Sequence, residues 1–495
     1  MAQTDLPAPP PLAEPNLAAA IRIHAQQRPT ATALVEIGAD GRQSWTWAEF
    51  EQAVTERASA LVQLGLVAGH RVVVQARPTL DAVATWFGAL RAGVVAVPVN
   101  PGKTPHELTR VVEHCGARVL IGESDLDLPG VRIVALTELA GHAGDAPIAS
   151  PQDPEAVAAV IYTSGTSGNP KGAMLSHRAL LAHCTGAFRR GLARREATVL
   201  CGMPLFHVFG LNAVLGAGVF AGSTMVLVEG IPDDLGEILK AEQITHLPLI
   251  PSVLYRLTLA PDLADSCRSL QTVTSGAAPL PAALASHWLR QTGIPVHQGY
   301  GLTEAAPGVT NTLGTDWLGS NHVGRALPGV EIRIGDGSEP TEPGEVMIRG
   351  NNLFSGYWPD GSEGPADDGW FATGDVGYLM GEDLFLVDRV REVIIVSGFN
   401  VYPAEIEEVL EQHPDVVAAA VVGQADEHTG ERVVAFVTGD SVEPSAVLAF
   451  ASARLARYKM PAELLVIKAM PRTASGKIRK NLLRDLLDRT DEEDF

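Results

Sequence analysis

The segment Tyr162-Thr163-Ser164-Gly165-Thr166-Ser167-Gly168-Asn169-Pro170-Lys171-Gly172 follows an apolar, strand-like run, Ala156–Ile161. Its glycines let backbone N–H groups turn toward an anion, and its Ser and Thr hydroxyls add donors suited to phosphate oxygens. Lys171 adds a point charge. A Walker loop would place Gly where Pro170 stands and Ser or Thr where Gly172 stands, so this is a different loop. A surface turn accounts for the Gly and Pro residues. It does not account for five hydroxyl or amide side chains ending in a lysine, in a chain where only 7 of 37 basic residues are lysine.

Further downstream, Gln298-Gly299-Tyr300-Gly301-Leu302-Thr303-Glu304 sets a carboxylate beside a hydroxyl. That pair suits Mg²⁺, which takes one or two carboxylates together with phosphate oxygens; alone, the segment also reads as an ordinary turn before a helix. Ser275-Gly276-Ala277-Ala278-Pro279 closes a strand with small residues that would let a flat ring approach the backbone. In Gly369-Trp370-Phe371-Ala372-Thr373-Gly374-Asp375, the Asp375 carboxylate can accept from both hydroxyls of a ribose. His207, within Pro204–Gly210 and flanked by Phe206 and Val208, reads from its neighbours alone as a packed core residue.

Placing these groups requires more than one core, because 495 residues exceed what a single core supports. The apolar fraction of 46% and charged fraction of 19% are those of a soluble globular chain, and no apolar run is long enough to span a membrane. Residues 1–15 lack a basic patch followed by an apolar stretch, so they read as a loose tail and not a signal peptide. A formal charge of −21 argues against nucleic acid as partner, but not against a small polyanion met by local cations. Cys115, Cys184, Cys201 and Cys267 show no CxxC pairing and read as buried free thiols of a cytoplasmic protein.

Strand-like runs at Arg71–Gln75, Val94–Pro98, Arg118–Ile121 and Thr224–Val228 alternate with amphipathic helical stretches such as Trp47–Gly65. The alternation predicts an α/β fold with parallel sheets. Val323–Gly350 reads as a small β module. From about Asp383 the pattern becomes strand, charged run, strand, helix near Pro403–Gln412, strands at Val416–Val422 and Arg432–Thr438, and helix again. We therefore expect a large N-terminal domain of layered α/β subdomains plus the β module, 16–389. A small, mobile α+β C-terminal domain, 390–495, follows it.

The loop 163–172 resembles the signature of the adenylate-forming superfamily of acyl-CoA synthetases, luciferases and peptide-synthetase adenylation domains. The likeness runs from about Trp45 to Ile478, with the further motifs in the family's order. It is strongest toward bacterial fatty-acid and coumarate-type CoA ligases, through Phe206–Gly210 and Gly398–Glu405. The resemblance implies ATP, Mg²⁺ and CoA as the small molecules used. It implies that Thr163, Ser164, Gly165, Thr166, Ser167, Gly168 and Lys171 bind phosphate, with Gly276 and Ala277 lining the adenine and acyl sites. Tyr300 would stack on adenine, Thr303 would contact phosphate, Glu304 would serve the metal, and Asp375 with Arg389 would hold the ribose. His207 would gate the acyl pocket. Peptide-synthetase domains carry an Asp just after the corresponding Phe to pair with an α-ammonium. With His207 there instead, an amino-acid substrate would leave its ammonium unpaired in an apolar site.

Lys477, in Pro471-Arg472-Thr473-Ala474-Ser475-Gly476-Lys477-Ile478, is the residue implied for catalysis. Joining a carboxylate to an α-phosphate brings two anions together, and an aimed ammonium offsets the charge that accumulates. In similar enzymes the C-terminal domain swings about a hinge, exchanging this lysine for a glycine-bearing strand that shapes the pantetheine tunnel. Here those positions are Arg391, where the family usually has Lys or Asp, and Ser397-Gly398-Phe399-Asn400. The expected reaction is activation of a fatty or arylalkyl acid to acyl-AMP and transfer to CoA. The alternative acceptors are a carrier-protein thiol, an amine or another small nucleophile; a catalytically dead nucleotide- or lipid-binding protein is the third reading. Small residues at Gly299–Gly301 and Ala305–Val309 are expected to leave room for the acyl tail.

Overall fold

The computed structural model describes residues 9–39, 41–123, 126, 128–142, 151–163, 171–315, 319, 321–335, 340–389, 392, 394–396, 399–426, 430–455, 457–473 and 476–492. Its α/β character follows from the strand sequences. Arg71–Gln75, Val95–Val99 and Val119–Ile121 are short runs of Val, Ile, Leu and Ala whose central residues are buried on both faces. That is the composition of a parallel sheet covered by helices. The strands lie in the order Arg132–Val134, Val119–Ile121, Arg71–Gln75, Val95–Val99, Val157–Thr163, Lys171–Ser176. All neighbours are parallel except the last pair, a hairpin.

A second sheet in the same unit has five parallel strands at its centre, Thr272–Ser275, His246–Leu249, Thr198–Cys201, Thr224–Val228 and Thr32–Gly38. Val296–Gly301 adds to it in parallel, and Gly308–Asn311 and His322–Ala326 continue antiparallel. Helix starts are fixed locally. Thr46 and Glu49 form a capping box for Trp47–Gln63, and Thr104 and Glu107 another for Pro105–Cys115. Each satisfies two of the N–H groups a helix leaves over. The first helix buries Trp47 and Phe50, and Phe50 meets Phe87 edge-on with ring centroids 5.7 Å apart.

By packing, the chain forms two compact units. One runs to Ile332 and adds Ile348–Phe371; the other combines Arg333–Met347 with Ala372 onward. In the second unit, Phe371–Met380 and Asp383–Arg389 pair antiparallel, and the strands Ala418–Asp426, Gly430–Thr438 and Glu463–Val466 are packed by Pro403–Glu411, Pro444–Ser452 and Lys480–Glu492. Expected elements shift by a few residues, as element ends do. The helix predicted to Gly65 ends at Gln63, and the strand predicted from Val416 begins at Ala418. Of the expected loose tail, Pro9 onward is described; Leu12 packs on the core and Glu14 pairs with Arg22 at 3.2 Å. All four cysteines are buried and free. Among the described residues no helix is long and apolar enough to cross a membrane.

Four histidines of the first unit, His24, His177, His183 and His246, are buried, and loss of hydration pushes each pKa from its ordinary 6.5 down to about 4. They are neutral in the fold, whereas the unfolded chain protonates them below pH 6.5. Their stabilisation is therefore complete above pH 6.5 and is lost as pH falls toward 4, by about 1.4 kcal/mol per pH unit for each group at most. Calorimetry should show Tm falling steadily from pH 6.5 to 4.5. A flat Tm across that window would mean that these imidazoles are not held neutral.

Candidate active site

The strands Val157–Thr163 and Lys171–Ser176 that flank the phosphate-type loop in sequence pair antiparallel, with Thr163 opposite Lys171. Ser164, Gly165, Thr166, Ser167, Gly168, Asn169 and Pro170, together with the Thr163 side chain, lie outside the described residues. The next residue explains its own identity: a Cβ on Gly172 would come within 2.6 Å of Val160 Cγ1. Lys171 donates to both carboxylate oxygens of Glu363, at 2.5 and 2.6 Å, and its Nζ lies 5.0 Å from the centroid of the Tyr357 ring. The Tyr357 hydroxyl in turn donates to Glu304 Oε1 at 2.5 Å. A cation from the loop and the carboxylate expected to serve a metal are thus joined through one tyrosine.

Glu304 and Thr303 lie on a short 3-10 turn, Thr303–Ala305, between two antiparallel strands. Such a turn has few internal hydrogen bonds, and here side chains supply them. Asn212 Nδ2 donates to Ala306 O at 2.6 Å; Asn352 Nδ2 donates to Ala305 O at 2.9 Å and Gly308 O at 3.0 Å. The Gly308 N–H donates to His183 Nδ1 at 3.2 Å, and the Phe354 N–H to Glu304 O at 2.8 Å. The turn then closes on itself so tightly that a Cβ on Gly301 would stand 2.2 Å from Pro307 O. A Cβ on Gly308 would meet His183 and Leu327 at 2.7 Å. These two glycines are therefore filled by backbone and side-chain packing, and the expectation that they leave room for an acyl tail is corrected.

Tyr300 occupies the strand before the turn, paired with Thr310. Gly276 follows the strand Thr272–Ser275; a Cβ there would lie 3.5 Å from the Phe209 ring and 3.6 Å from Gly299 O, ordinary contact distances. Ala277 has φ +66°, a left-handed conformation that costs a residue with a Cβ about 1 kcal/mol or more. His207 is half-buried, and its Nδ1 accepts from the Phe209 N–H at 3.2 Å, which leaves Nε2 to carry the proton of the neutral ring. Phe209–Gly216 then winds as a π-helix, and Gly210 is required because a Cβ would fall 2.4 Å from Pro204 O. The segments bearing His207, Gly276 and Tyr300 therefore meet around Phe209 and Gly299. Sequence reasoning missed Tyr357, Glu363, Asn212, Asn352 and His183; an aromatic and an acid inside the glycine-rich stretch Gly356–Gly369 were the available signal for the first two.

In the second unit, Asp375 is buried and lies opposite Arg389 in the register of two antiparallel strands. Thr373 Oγ1 donates to Val346 O and accepts from the Asp375 N–H, while the Gly374 N–H donates to Glu345, fixing the bend before the aspartate. The Arg389 side chain, Arg391 and Gly398 lie outside the described residues. Lys477 is exposed on a turn closed by Thr473 N–H to Lys477 O at 2.8 Å and Lys477 N–H to Thr473 Oγ1 at 3.1 Å. Lys480, one turn on, bonds to Glu392 at 2.9 Å and Glu407 at 2.8 Å. The residues implied for nucleotide binding thus divide into two groups, one in each unit.

Among the described residues no three His, Cys, Asp or Glu side chains cluster as a metal cage. A single carboxylate, Glu304, beside the Thr303 hydroxyl fits Mg²⁺, which keeps waters and substrate phosphates as its other ligands.

The family described as AMP-binding enzyme matches residues 21–358, and the AMP-binding enzyme C-terminal domain matches residues 405–477. Similar proteins include 4-coumarate–CoA ligase 3 of Oryza sativa subsp. japonica, 32% identical over 91% of this chain and 90% of the relative. Indoleacetate–CoA ligase of Aromatoleum aromaticum is 33% identical over 90% of this chain and 93% of its own. Among solved structures, ATP-bound MatB from Rhodopseudomonas palustris superposes with TM-score 0.89 at 28% identity, covering 96% of this chain and 99% of that one. The o-succinylbenzoate CoA synthetase of Bacillus subtilis, in complex with ATP and magnesium ion, gives TM-score 0.81 at 28% identity, covering 94% and 99%. Both parts of one family are matched in order along a single chain whose hairpin lysine and turn carboxylate converge, and this chain belongs to the AMP-binding enzymes.

Proposed function

We propose that this chain uses Mg·ATP to convert a small carboxylic acid to its acyl-adenylate and then passes the acyl group to the thiol of CoA. The observation that carries the reading is the convergence of Lys171, Tyr357 and Glu304 at the mouth of the hydroxyl-rich hairpin. A carboxylate is a poor electrophile. Its attack on the α-phosphate expels pyrophosphate and makes a mixed anhydride, whose acyl carbon a thiol can attack with AMP as leaving group. Bound Mg²⁺ would neutralise phosphate charge beside Glu304 and Thr303. The hairpin hydroxyls and Lys171 would orient the triphosphate, Tyr300 and the Gly276–Ala277 turn would take the adenine, and Asp375 with Arg389 the ribose. His207 would face the acyl group, and the apolar Phe209 beside Gly276 favours an uncharged tail, aliphatic or aromatic.

Lys477 would aim its ammonium between the two anions in the first half-reaction only. We assign the change between halves to a hinge at Arg391, at the boundary between 16–389 and 390–495, with Gly398 presented to the thiol in the second half. Lys480 supports such a rigid swing, since its pairs with Glu392 and Glu407 tie the segment after Lys477 to the residue next to the hinge.

Pyrophosphate release across a panel of acids, with and without CoA, tests the reaction itself: release without any acid dependence would overturn it. Lys477→Ala should cut ATP–pyrophosphate exchange by about 10² or more while sparing thiol transfer from preformed acyl-AMP. Arg391→Pro should do the reverse; equal loss of both halves in either variant would remove the swing. Gly301→Ala, which forces the turn away from Pro307 O, should lower kcat/KM for ATP about 10²-fold with the circular dichroism spectrum unchanged.

A further inference from the structure

Glu363 has no place in the reaction described so far, yet the chain goes to some length to hold it. Residues 355–358 add to the hairpin strand Lys171–Ser176: the Ser355 N–H donates to Met174 O at 2.9 Å, the Met174 N–H to Gly356 O at 3.0 Å, and the Trp358 N–H to Gly172 O at 2.8 Å. The chain then reverses. The Gly361 N–H donates to Tyr357 O at 2.8 Å and the Tyr357 N–H to Ser362 O at 2.9 Å. Gly356, at φ +92°, passes so near Gly361 that a Cβ would stand 2.0 Å from its carbonyl oxygen. Glu363 comes next and adopts φ +55°, a left-handed backbone that disfavours residues with a Cβ. Strain of this kind persists only where the surrounding structure imposes it, and what it places here is a carboxylate on Lys171.

Two of the three N–H groups of Lys171 are directed at one carboxylate, and the ammonium's charge is cancelled in place. Lys171, Glu363 and Glu304 together carry one negative charge at the mouth of a loop built for polyanions. A triphosphate must therefore compete for the lysine. The competition is mild, because Lys171 is 37% and Glu363 62% exposed, and exposed pairs are weak. A partner strong enough to hold the lysine in place and weak enough to be displaced is suited to a site that must also let a highly charged product go.

Building on the ATP-dependent reading above, we propose that Glu363 is the exchangeable counter-ion of Lys171. It positions the ammonium at the hairpin mouth when no nucleotide is bound, yields it to the triphosphate, and reclaims it as pyrophosphate leaves. Glu363 is a positioning residue, acting through Lys171 and Tyr357, and it sets the affinity for phosphate chains without contributing to nucleoside recognition.

Titration calorimetry on the full chain tests this with three probes: Mg·ATP, magnesium pyrophosphate and adenosine. In Glu363→Gln, Mg·ATP and pyrophosphate should bind about two- to fivefold more tightly, the ceiling set by an exposed ion pair, while adenosine binding is unchanged. Glu363→Asn, which suits the left-handed backbone, should shift in the same direction. In a Lys171→Gln background neither substitution should have an effect. Weaker or unchanged ATP binding, an equal shift for adenosine, or an effect that survives Lys171→Gln would each overturn the proposal. Failure of the wild-type chain to bind Mg·ATP would instead remove the functional reading beneath it.

Discussion

The candidate site depends on one constraint: the turn between Gly301 and Gly308, which closes on itself through Leu302 N–H to Pro307 O, must also be anchored to the rest of the fold by side chains. A 3-10 turn of three residues satisfies few of its carbonyls, and unpaired buried carbonyls are costly. Asn212 and Asn352 donate to those carbonyls, and His183 Nδ1 accepts from the Gly308 N–H, from three separate parts of the chain. The two bounding glycines let the turn fold back upon Pro307 and against His183. Thr303 and Glu304 owe their position to these contacts. The Glu304 carboxylate is thus placed by side chains that act only on the backbone of its turn.

Around this anchor the electrostatics are balanced locally. Glu304 is met by the Tyr357 hydroxyl, Lys171 by Glu363, and the tyrosine ring stands between the two pairs. Tyr357 is itself set by an edge-on contact with Phe354, which packs in the same way on Phe371, both at 5.1 Å. The aromatic stack converts apolar packing into placement of a hydroxyl. The net charge of −21 therefore says little about this region, where cation and carboxylates are matched residue by residue.

The fold class was legible because parallel strands covered on both faces leave continuous apolar runs, as at Arg71–Gln75 and Thr224–Val228, which the structure places as strands at those bounds. The loop, the Gln298–Glu304 segment and the Pro471–Ile478 turn stood out in the sequence because their residue types suit chemistry and would be odd choices for packing; of these, the structure describes Gln298–Glu304 in full. Glu363 and Asn352 were not, because each acts on a partner far away in sequence, and nothing local to a lone Glu or Asn marks such a contact. The glycines at 301 and 308 were misread for a related reason. A missing side chain can make space for a ligand or for the protein's own backbone, and only the three-dimensional packing distinguishes them.

The pairing of residues 355–358 with the strand Lys171–Ser176 also has a kinetic side. Lys171 and Glu363 are 192 residues apart, so the hairpin leaves the ribosome long before its partners exist. At ordinary synthesis rates the delay is on the order of ten to forty seconds. Throughout that interval the loop's edge strand lacks its neighbour, and unpaired edges invite wrong partners. Nucleotide cannot shield it early, because the turn bearing Glu304 is itself made well after the hairpin. The nascent chain must therefore rely on the covered faces of the first sheet to keep that edge from misassembling, and a competent nucleotide cleft becomes one of the last parts of the molecule to form.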